Sequence, residues 1–281
     1  MRPMERYDAL CRMAGRNTTR LYSTSFAIGI RSLERGLRDP IHAIYGFVRF
    51  ADEIVDTFHG HDKAALLARY RADTHAAIRE GISLHPILHG FQQVVHHYGI
   101  EPALYDTFLD SMAMDLHGRT YDQRSYETYI LGSAEVVGLM CLRVFTKDDP
   151  TQYEGLKPAA MRLGAAFQKV NFLRDMKDDH ANLGRTYFPG VDVTRIDEAT
   201  KRRIEGDIQA DLEAAREGIG RLPRGSRLGV YVAYVYYLAL FKKIQALPCE
   251  RILRERIRVR NSDKLALLTT SYMKHSLGLI R

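Results

Sequence analysis

The sequence predicts an all-α protein that folds as a single domain over residues 1–281. Apolar residues recur at steps of three and four along most of the chain, which is the spacing of one face of an α-helix. Alternating apolar and polar runs bounded by turn residues, the pattern typical of β-strands, are scarce. No long segment rich in Pro, Gly or Ser divides the chain, so we expect the helices to share one bundle.

The individual helices follow from this spacing and from residues that favour helix ends. Asp39-Pro40 and Asp149-Pro150 each place an N-cap residue before Pro, which is favoured at the first helical position. We therefore expect one helix to begin at Pro40 and another next to Pro150. The predicted helices cover residues 4–20, 40–58, 62–80, 85–97, 102–117, 125–146, 151–182, 198–220, 227–246 and 249–277.

The composition indicates a globular protein with an anionic partner. Hydrophobic residues make up 46% and charged residues 27% of the chain, which argues against disorder. The net charge of +7 is typical of proteins that bind nucleic acid, a phosphorylated metabolite or a membrane surface. Charge alone does not discriminate among these three.

The cysteines and the apolar runs favour a reducing compartment. Cys11, Cys141 and Cys249 are far apart and form no C-x-x-C pair, so neither a disulfide framework nor a zinc knuckle is indicated. The first 20 residues lack the apolar core of a signal peptide, and the apolar run 228–241 is too short to span a bilayer. We therefore expect a cytoplasmic protein.

Asp52 and Asp56 form the first of two acidic stripes. They are four residues apart, so a helix places both carboxylates on one face, where Tyr45 and Arg49 precede them at the same kind of spacing. Such pairs are common on exposed helices. This stripe alone therefore does not establish a metal site.

Gln168, Asn171, Asp175 and Asp179 form the second stripe. Their steps of three and four keep them within about 80° on one helical face. Carboxylates stacked turn by turn repel one another, and a divalent cation offsets that repulsion. Because every donor is an oxygen, the two stripes together favour a hard ion such as Mg²⁺.

Other charged sites fit the sequence less well. A carboxylate-bridged di-iron bundle needs Glu-x-x-His on two helices, and no Glu here is followed by His at that spacing. The P-loop pattern is absent, and Gly218-Ile219-Gly220 lacks the third glycine of a dinucleotide fingerprint. The basic run 251–260 (RILRERIRVR) is either a solvated helix face or a rim that attracts anions. A non-enzymatic alternative for the whole chain is a module that binds nucleic acid or anionic lipid through this run. That alternative leaves both acidic stripes unexplained.

Taken together, these motifs resemble those of the squalene and phytoene synthases, the head-to-head branch of the trans-prenyl transferases. The resemblance covers most of the chain and rests on three segments, which are Ser23-Thr24-Ser25-Phe26, Tyr45 to Asp56, and Gln168 to Asp179 followed by Gly184-Arg185-Thr186-Tyr187-Phe188-Pro189. It implies the isoprenoid synthase fold, a single-domain helical bundle with a deep central cavity. Terpene cyclases are a less suitable match, because their second metal motif is N-D-x-x-S-x-x-x-E and this chain has a second D-x-x-x-D.

The resemblance also assigns roles to individual residues. The residues that it implies as Mg²⁺ ligands, with Mn²⁺ as a substitute ion, are Asp52, Asp56, Asn171, Asp175 and Asp179. The residues implied in substrate binding are Ser23, Ser25, Phe26, Arg49, Gln168, Arg185 and Tyr187. The residues implied in catalysis are Tyr45, Arg49, Asp115, Arg174 and Tyr237, of which Arg174 alternatively forms an ion pair with a neighbouring acid and Tyr237 alternatively packs in the core.

The implied reaction joins two prenyl diphosphates through a cyclopropylcarbinyl diphosphate. We expect two geranylgeranyl diphosphates to give phytoene without NADPH, with synthesis of dehydrosqualene or squalene from farnesyl diphosphate as the alternative. Ile30 and His42 stand where C30-forming relatives carry bulkier aromatic residues, which favours the longer substrate. Leu131 replaces the second aromatic of a Y-x-Y-G motif, so no catalytic role is assigned to it. We expect prenyl diphosphates and downstream carotenoid enzymes as partners, and no nucleic acid.

Overall fold

Thirteen α-helices and one π-helical turn make up most of the part of the chain that the structure describes. The computed structural model describes residues 3–117, 120–179, 184–192, 196–254 and 256–280. Across these ranges there is no strand, and an isolated β-bridge joins Thr120 to Thr186. The all-α prediction is therefore confirmed.

The helices are numbered in chain order. Their bounds are α1 Pro3–Tyr22, α2 Thr24–Arg31, α3 Arg35–Asp56, α4 Lys63–Glu80, α5 Pro86–Tyr98, α6 Pro102–Met114, α7 Gln123–Ile130, the π-helical turn Leu131–Glu135, α8 Val136–Phe145, α9 Pro150–Asp178, α10 Glu198–Arg221, α11 Arg224–Gln245, α12 Cys249–Ile252 and α13 Asn261–Ser276. Asp149 caps α9 as predicted, because its carboxylate accepts a hydrogen bond of 2.8 Å from the Gln152 amide. The predicted end of that helix, residues 180–182, lies outside the described residues.

Two large apolar cores and a third, smaller cluster around Tyr153 hold the described helices together. In the first, Phe47 of α3 stacks on Phe91 of α5 with ring centroids 3.9 Å apart, and both rings are fully buried. The second core lies where α9, α10 and α11 pack against one another and includes Leu173, Ile208 and Phe241, all fully buried. Burying a side chain of this size contributes about 1.5–3 kcal/mol. Helix α3 thus belongs to one core and α9 to the other.

The predicted start of the third helix at Pro40 is wrong. Helix α3 begins at Arg35, so Pro40 lies within it and its missing N–H removes one intrahelical hydrogen bond. Asp39 does not act as a cap. Its carboxylate instead accepts two hydrogen bonds of 2.6 and 2.7 Å from Arg16 on α1, and this ion pair fixes the two helices relative to each other.

Helix α2 was not predicted, although its cap is visible in the sequence. The Ser23 hydroxyl oxygen accepts a hydrogen bond from the Phe26 amide, which is the usual N-cap arrangement. The helix has only 8 residues and depends on packing against α11. At the contact, Gly29 and Gly229 bring the two backbones together, since a Cβ on Gly229 would lie 2.7 Å from the Gly29 carbonyl oxygen.

The predicted helix at 125–146 is one continuous helical run with a π-helical turn in it. A Cβ on Gly132 would lie 2.5 Å from the Thr107 carbonyl oxygen, so this glycine lets the turn press against α6. The run Gln123–Phe145 is long and apolar enough to cross a membrane, but half of its apolar window is buried inside the protein. It packs against α6 and α9, so we interpret it as a core helix.

The predicted single helix at 249–277 is also wrong. Helix α12 ends at Ile252, and α13 starts only at Asn261. Between them Ile257 and Val259 are buried while Arg256 and Arg258 are exposed, an alternation with the period of extended chain. The basic run 251–260 is therefore not one solvated helix face.

Candidate active site

A cavity of about 640 Å³ lies between α3 and α9 and extends to α2, α8, α10 and α11. Along α3 its lining begins with Ile41 and Ile44 and ends with Asp52 and Asp56. Along α9 the lining likewise begins with apolar residues and ends with carboxylates. The cavity therefore has an apolar part and an acidic end.

The acidic end brings both sequence stripes together. It is lined by Tyr45, Arg49, Asp52, Asp56, Asp115, Gln168, Asn171, Arg174, Asp175, Asp178, Asp179 and Arg256. All five predicted metal ligands are among these residues. Asp178 and Arg256 were not singled out from the sequence. Asp178 is adjacent to a stripe residue, and Arg256 belongs to the basic run 251–260, for which an anion-attracting rim was one of the two interpretations.

Arg49 presents part of its guanidinium group without a partner. The group lies over the ring of Tyr22, 4.4 Å from Arg49 Cζ to the ring centroid. It pairs with Glu53, and Nη1 lies 3.6 Å from Asp52 Oδ2. Arg49 Nε is buried and has no hydrogen-bond partner among the described residues. A buried donor without a partner is unfavourable, and Arg49 lines the cavity, so a rotation of the side chain that brings this atom to an anion there would be favourable.

Asp175 is held by two arginines. Arg174 Nε lies 2.9 Å from Asp175 Oδ1, and Arg256 Nε lies 2.8 Å from the same oxygen. Burial lowers the pKa of Arg174, but its contact with Asp175 outweighs burial and the pKa is raised, so the group is charged. The ion pair that was the alternative for Arg174 is thus present. Through this contact Arg256, which lies between α12 and α13 in the sequence, reaches the acidic end.

Burial, together with neighbouring carboxylates, raises the pKa of two carboxyl groups to about 7. For Asp52 the main cause is burial and the second is Asp56, opposed by Arg49. For Asp179 burial again comes first, followed by Asp175 and Asp56. Asp52 lies deep in the protein, although a third of its side chain faces the open cavity, with an exposure of 33%. Both groups would be fully ionised at neutral pH only with additional positive charge nearby.

This arrangement fits a divalent cation. The available donors are carboxylate oxygens of Asp52, Asp56, Asp175 and Asp179 and the amide oxygen of Asn171, all on the cavity surface. Hard ions such as Mg²⁺ prefer oxygen donors. A cation here would offset both the burial and the repulsion that raise the two pKa values. The residues present are therefore suitable for the predicted ion.

Asp115 is the centre of a buried hydrogen-bond network below the acidic end. Tyr129 donates to Asp115 Oδ2 at 2.7 Å, and Tyr121 donates to Oδ1 at 3.0 Å. Tyr187 also donates to Oδ1, at 3.4 Å. Burial raises the pKa of Asp115 to about 6 against the opposing effect of Arg185. The network fixes three phenol groups, of which Tyr129 and Tyr187 also line the cavity.

Arg185 supports this network through an ion pair and a hydrogen bond to the backbone. Its side chain is 6% exposed, and Nη1 lies 2.7 Å from Asp56 Oδ1 and 3.7 Å from Asp115 Oδ2. Nη2 donates to the Asp115 carbonyl oxygen at 3.0 Å. Arg185 is not among the cavity-lining residues, so its predicted contact with phosphate stays a prediction.

Aromatic rings line the cavity next to the acidic end. Phe167 and Tyr237 stack with centroids 3.9 Å apart, and Phe26 lies 5.9 Å from both Tyr45 and Tyr237. The Tyr237 hydroxyl donates to Asn171 Oδ1 at 3.2 Å. Burial raises the pKa of Tyr45 and of Tyr237, so both are neutral phenols. Ring faces of this kind can stabilise a cation without reacting with it.

The wall of the apolar part combines large aliphatic side chains with many small residues. Those at its surface include Gly29, Gly138, Ala159, Ala160, Gly164, Ala215, Gly218, Gly229 and Ala233. A Cβ on Gly164 would lie 2.5 Å from the Ala134 carbonyl oxygen, so this glycine permits close packing of α9 against the π-helical turn. Small side chains leave room for a long apolar ligand.

Several predicted positions lie elsewhere than expected. Ile30 lines the cavity, but His42 does not. It is buried on the other side, where its Nδ1 lies 2.9 Å from Thr19 Oγ1. The interpretation of His42 as a cavity residue is therefore wrong. Ser23 lines the cavity while also capping α2, and Ser25 is not among the lining residues. Leu131 is 37% exposed on the outer face of the π-helical turn.

Comparisons with known proteins agree with this geometry. A family model described as squalene/phytoene synthase matches residues 19–263. A 15-cis-phytoene synthase from Paracoccus sp. is 29% identical over 274 residues, which cover 88% of this chain and 86% of the relative. A presqualene diphosphate synthase from Zymomonas mobilis is 30% identical over 267 residues, which cover 88% of each chain.

Solved structures show the same fold. A dehydrosqualene synthase in complex with ligand has a TM-score of 0.80 at 20% identity and covers 97% of this chain and 98% of its own. A squalene synthase from Alicyclobacillus acidocaldarius has a TM-score of 0.73 at 20% identity, with 86% and 95% covered. At these identities the likeness establishes the architecture alone.

Proposed function

Because the chain belongs to the squalene/phytoene synthase family and is therefore a prenyltransferase, we propose that it joins two geranylgeranyl diphosphates head to head to form phytoene. The proposed reaction passes through a cyclopropylcarbinyl diphosphate and needs no NADPH. It would place the enzyme in carotenoid biosynthesis, before the enzymes that desaturate the hydrocarbon.

One observation carries this proposal, the division of a single cavity into an acidic end and a long apolar part. A prenyl diphosphate has the same division, with a highly charged head and an apolar tail. The carboxylates that would repel the head directly are suited to attract it through bound Mg²⁺. The Gly- and Ala-lined walls leave space for the tails.

The residues around the acidic end support loss of diphosphate. Bound Mg²⁺ would supply the positive charge that stabilises the leaving group. Arg49 lines the cavity, and its Nε, which has no partner among the described residues, would become a donor for a phosphate oxygen when the side chain turns towards it. Ser133 also lines the cavity, and its buried hydroxyl oxygen has no partner in the described part of the chain.

The neighbouring rings support the carbocation that remains. Phe26, Tyr45, Phe167 and Tyr237 form an aromatic group between the carboxylates and the apolar walls. Their π-faces stabilise positive charge, and the neutral phenols are poor nucleophiles towards it. The hydrogen bond from Tyr237 to Asn171 holds one ring against the acidic stripe. These residues would keep the carbocation intact until the second prenyl diphosphate attacks it.

A second candidate is the first half of the reaction alone. The relative from Zymomonas mobilis is a presqualene diphosphate synthase, and its identity of 30% is comparable with that of the phytoene synthase from Paracoccus sp.. In this alternative, two farnesyl diphosphates would give the cyclopropyl diphosphate, which would be released. Formation of a C30 hydrocarbon from farnesyl diphosphate is a related alternative.

A competition assay distinguishes these functions. The purified protein is incubated with equal farnesyl and geranylgeranyl diphosphate and Mg²⁺, with and without NADPH, and products are identified by mass spectrometry. We expect mainly C40 hydrocarbon in both conditions. Dominant C30 hydrocarbon, or hydrocarbon only with NADPH, would instead support the farnesyl diphosphate alternative. Accumulation of a C30 cyclopropyl diphosphate would support the half-reaction.

We also propose that the protein acts in the cytoplasm with a peripheral contact at the inner face of the membrane. Its proposed substrates are amphiphiles and its product is an oil, so both partition into lipid. Downstream carotenoid enzymes are the proposed partners that receive the product. Fractionation of cells into soluble and membrane fractions, with activity measured in each, tests this localisation.

A further inference from the structure

A second concave site lies outside the cavity, on the opposite side of α2. It is a groove of about 530 Å³ between α1, α2 and α3, lined by Arg16, Arg20, Arg31, Arg35 and Arg38 together with Ala27, Ile28, Asp39 and His42. We refer to these nine residues as the arginine groove. None of them lines the central cavity.

The charge of the arginine groove is far from balanced. Its five arginines face one carboxylate, Asp39, and that carboxylate is already engaged by Arg16 through hydrogen bonds of 2.6 and 2.7 Å. The Arg38 side chain is fixed separately, because its Nε donates to the Leu33 carbonyl oxygen at 2.8 Å. The groove therefore combines two anchored arginines with additional positive charge.

The other three arginines have no partner in the part of the chain that the structure describes. Arg20, Arg31 and Arg35 form no ion pair or side-chain hydrogen bond with any described residue, and all three are exposed. Arg35 is the first residue of α3, a 22-residue helix whose N-cap Glu34 makes no side-chain cap bond. The positive end of the helix dipole thus borders the groove as well. Like charges gathered in a concavity repel one another unless an anion binds between them.

The floor of the groove adds no negative charge. His42 is 9% exposed, and its ring shares a hydrogen bond of 2.9 Å with Thr19 Oγ1. Because the Thr19 hydroxyl donates to the Gly15 carbonyl oxygen, it accepts a hydrogen bond from His42 Nδ1. Burial lowers the pKa of His42 to about 4, so the ring is neutral at pH 7. Asp39 is therefore the only carboxylate among the nine residues of the groove.

We propose that the arginine groove is a binding site for a phosphate-bearing group, either a soluble diphosphate or the headgroup of an anionic lipid. Guanidinium groups bind phosphate oxygens through paired hydrogen bonds, and several of them converge here. The site is independent of the proposed prenyl transfer, since it uses no residue of the central cavity.

Exposed apolar residues on α1 favour an anionic lipid as the source of the phosphate-bearing group. Helix α1, which supplies Arg16 and Arg20, also exposes Leu10, Met13 and Leu21, with exposures of 53%, 55% and 83%. Arginines interspersed with exposed apolar side chains on one helix are typical of surfaces that lie on anionic membranes. A soluble diphosphate would need the arginines alone.

The test compares two double variants with equal loss of charge. Arg31→Gln/Arg35→Gln removes two groove arginines, and Arg202→Gln/Arg203→Gln removes two exposed arginines of α10. Circular dichroism and turnover in detergent check that both variants fold. The full-length protein is kept in EDTA during binding, so that the acidic end of the cavity does not recruit phosphate through a metal ion.

Two binding assays identify the source of the phosphate. In the first, inorganic diphosphate is titrated calorimetrically, and in the second the protein is sedimented with vesicles of phosphatidylglycerol and phosphatidylcholine or of phosphatidylcholine alone. We expect the groove variant to bind at least tenfold more weakly in one assay while the α10 variant binds like the unmodified protein. For vesicles the expected loss is about thirtyfold, since each arginine near an anionic surface contributes about 1 kcal/mol.

Each outcome decides the proposal. A selective loss with diphosphate identifies a soluble anion, and a selective loss with anionic vesicles identifies a lipid headgroup. Arg31→Lys/Arg35→Lys should restore part of the binding, because charge is kept but paired hydrogen bonding is lost. If the two Gln variants behave alike in both assays, or if the unmodified protein binds neither probe, the proposal is overturned.

Discussion

Arg185 Nη1 lies 2.7 Å from Asp56 Oδ1, and this ion pair joins the end of α3 to the segment that follows α9. The two residues are 129 positions apart in the sequence. Arg185 also lies within 3.7 Å of the buried Asp115 carboxylate. One guanidinium group therefore links an acidic stripe to the tyrosine network below it.

We expect Arg185→Gln to lower the free energy of unfolding by about 3–5 kcal/mol, because it leaves the buried Asp115 without its cation. Urea denaturation followed by circular dichroism measures this loss. Arg185→Gln/Asp115→Asn should recover part of it, since the unpaired charge is then removed. The effect of Asp115→Asn on the free energy of unfolding is compared in the unmodified protein and in Arg185→Gln. If Asp115→Asn destabilises both proteins equally, the two residues are not coupled.

We expect Asp52→Asn and Asp175→Asn to lower turnover by about a hundredfold or more while the helical circular dichroism stays the same. Each change removes negative charge that a metal ion at the acidic end would need. Asp73→Asn is the matched control, since Asp73 is an exposed aspartate of α4 outside the cavity. Turnover near that of the control in both variants would exclude the metal assignment.

We expect EDTA to abolish activity and Mg²⁺ or Mn²⁺ to restore it, whereas Zn²⁺ should not. The proposed ligands are all oxygens, and the acidic end offers neither His nor Cys among the described lining residues. Initial rates after dialysis and addition of each ion give the answer. Coupling that proceeds in EDTA at the original rate would contradict the prediction.

We expect the protein to lose stability below about pH 6.5 in part through His42. Burial, helped by nearby arginines, lowers the pKa of His42 to about 4, so the folded state resists protonation that the unfolded state accepts. The stabilising contribution is thus complete above pH 6.5 and decreases as the pH falls towards 4. At pH 5 the loss amounts to about 2 kcal/mol.

Thermal and urea unfolding of the unmodified protein and of His42→Gln at pH 7 and pH 5 would measure this contribution. The variant should lose about 2 kcal/mol less than the unmodified protein over that interval. Equal pH dependence in the two proteins would show that His42 takes up its proton without unfolding.

We expect Ile30→Phe to shift substrate preference from geranylgeranyl towards farnesyl diphosphate. Ile30 lines the cavity and is 4% exposed, so a larger ring must take space from the apolar part. Each CH₂ group that is no longer accommodated forfeits about 0.8 kcal/mol. The ratio of kcat/KM for the two substrates is the measurement. His42→Gln should leave that ratio unchanged, because His42 does not line the cavity.

The sequence predicted which acidic residues share a helix face better than it predicted where the helices begin and end. The two stripes could be recognised because Asp52, Asp56, Asp175 and Asp179 lie on two long helices, where spacing determines which side chains share a face. Their convergence on one cavity depends on packing between helices that are distant in sequence. The family resemblance supplied that step, and spacing alone could not.

The errors have physical causes in particular residues. Pro40 was interpreted as a helix start because proline favours that position, yet packing of α3 against α1 compensates for the hydrogen bond that it removes. Helix α2 is too short to show a clear period, and its stability comes from α11. The position of Arg256 beside Asp175 is a long-range contact that no local pattern encodes.

Helix α2 forms a thin partition between the central cavity and the arginine groove, and the contact between Gly29 and Gly229 holds it against α11. Gly29 and Gly229 both line the cavity, while Ala27 and Ile28 on the same short helix line the arginine groove. A Cβ on Gly229 would lie 2.3 Å from Leu33 Cδ2 and 2.7 Å from the Gly29 carbonyl oxygen, so any larger residue there must displace the partition. For protein engineering, a larger residue at position 229 would therefore change the width of the cavity by displacing α2. A larger residue at Ile30 would instead occupy part of the cavity and leave α2 in place.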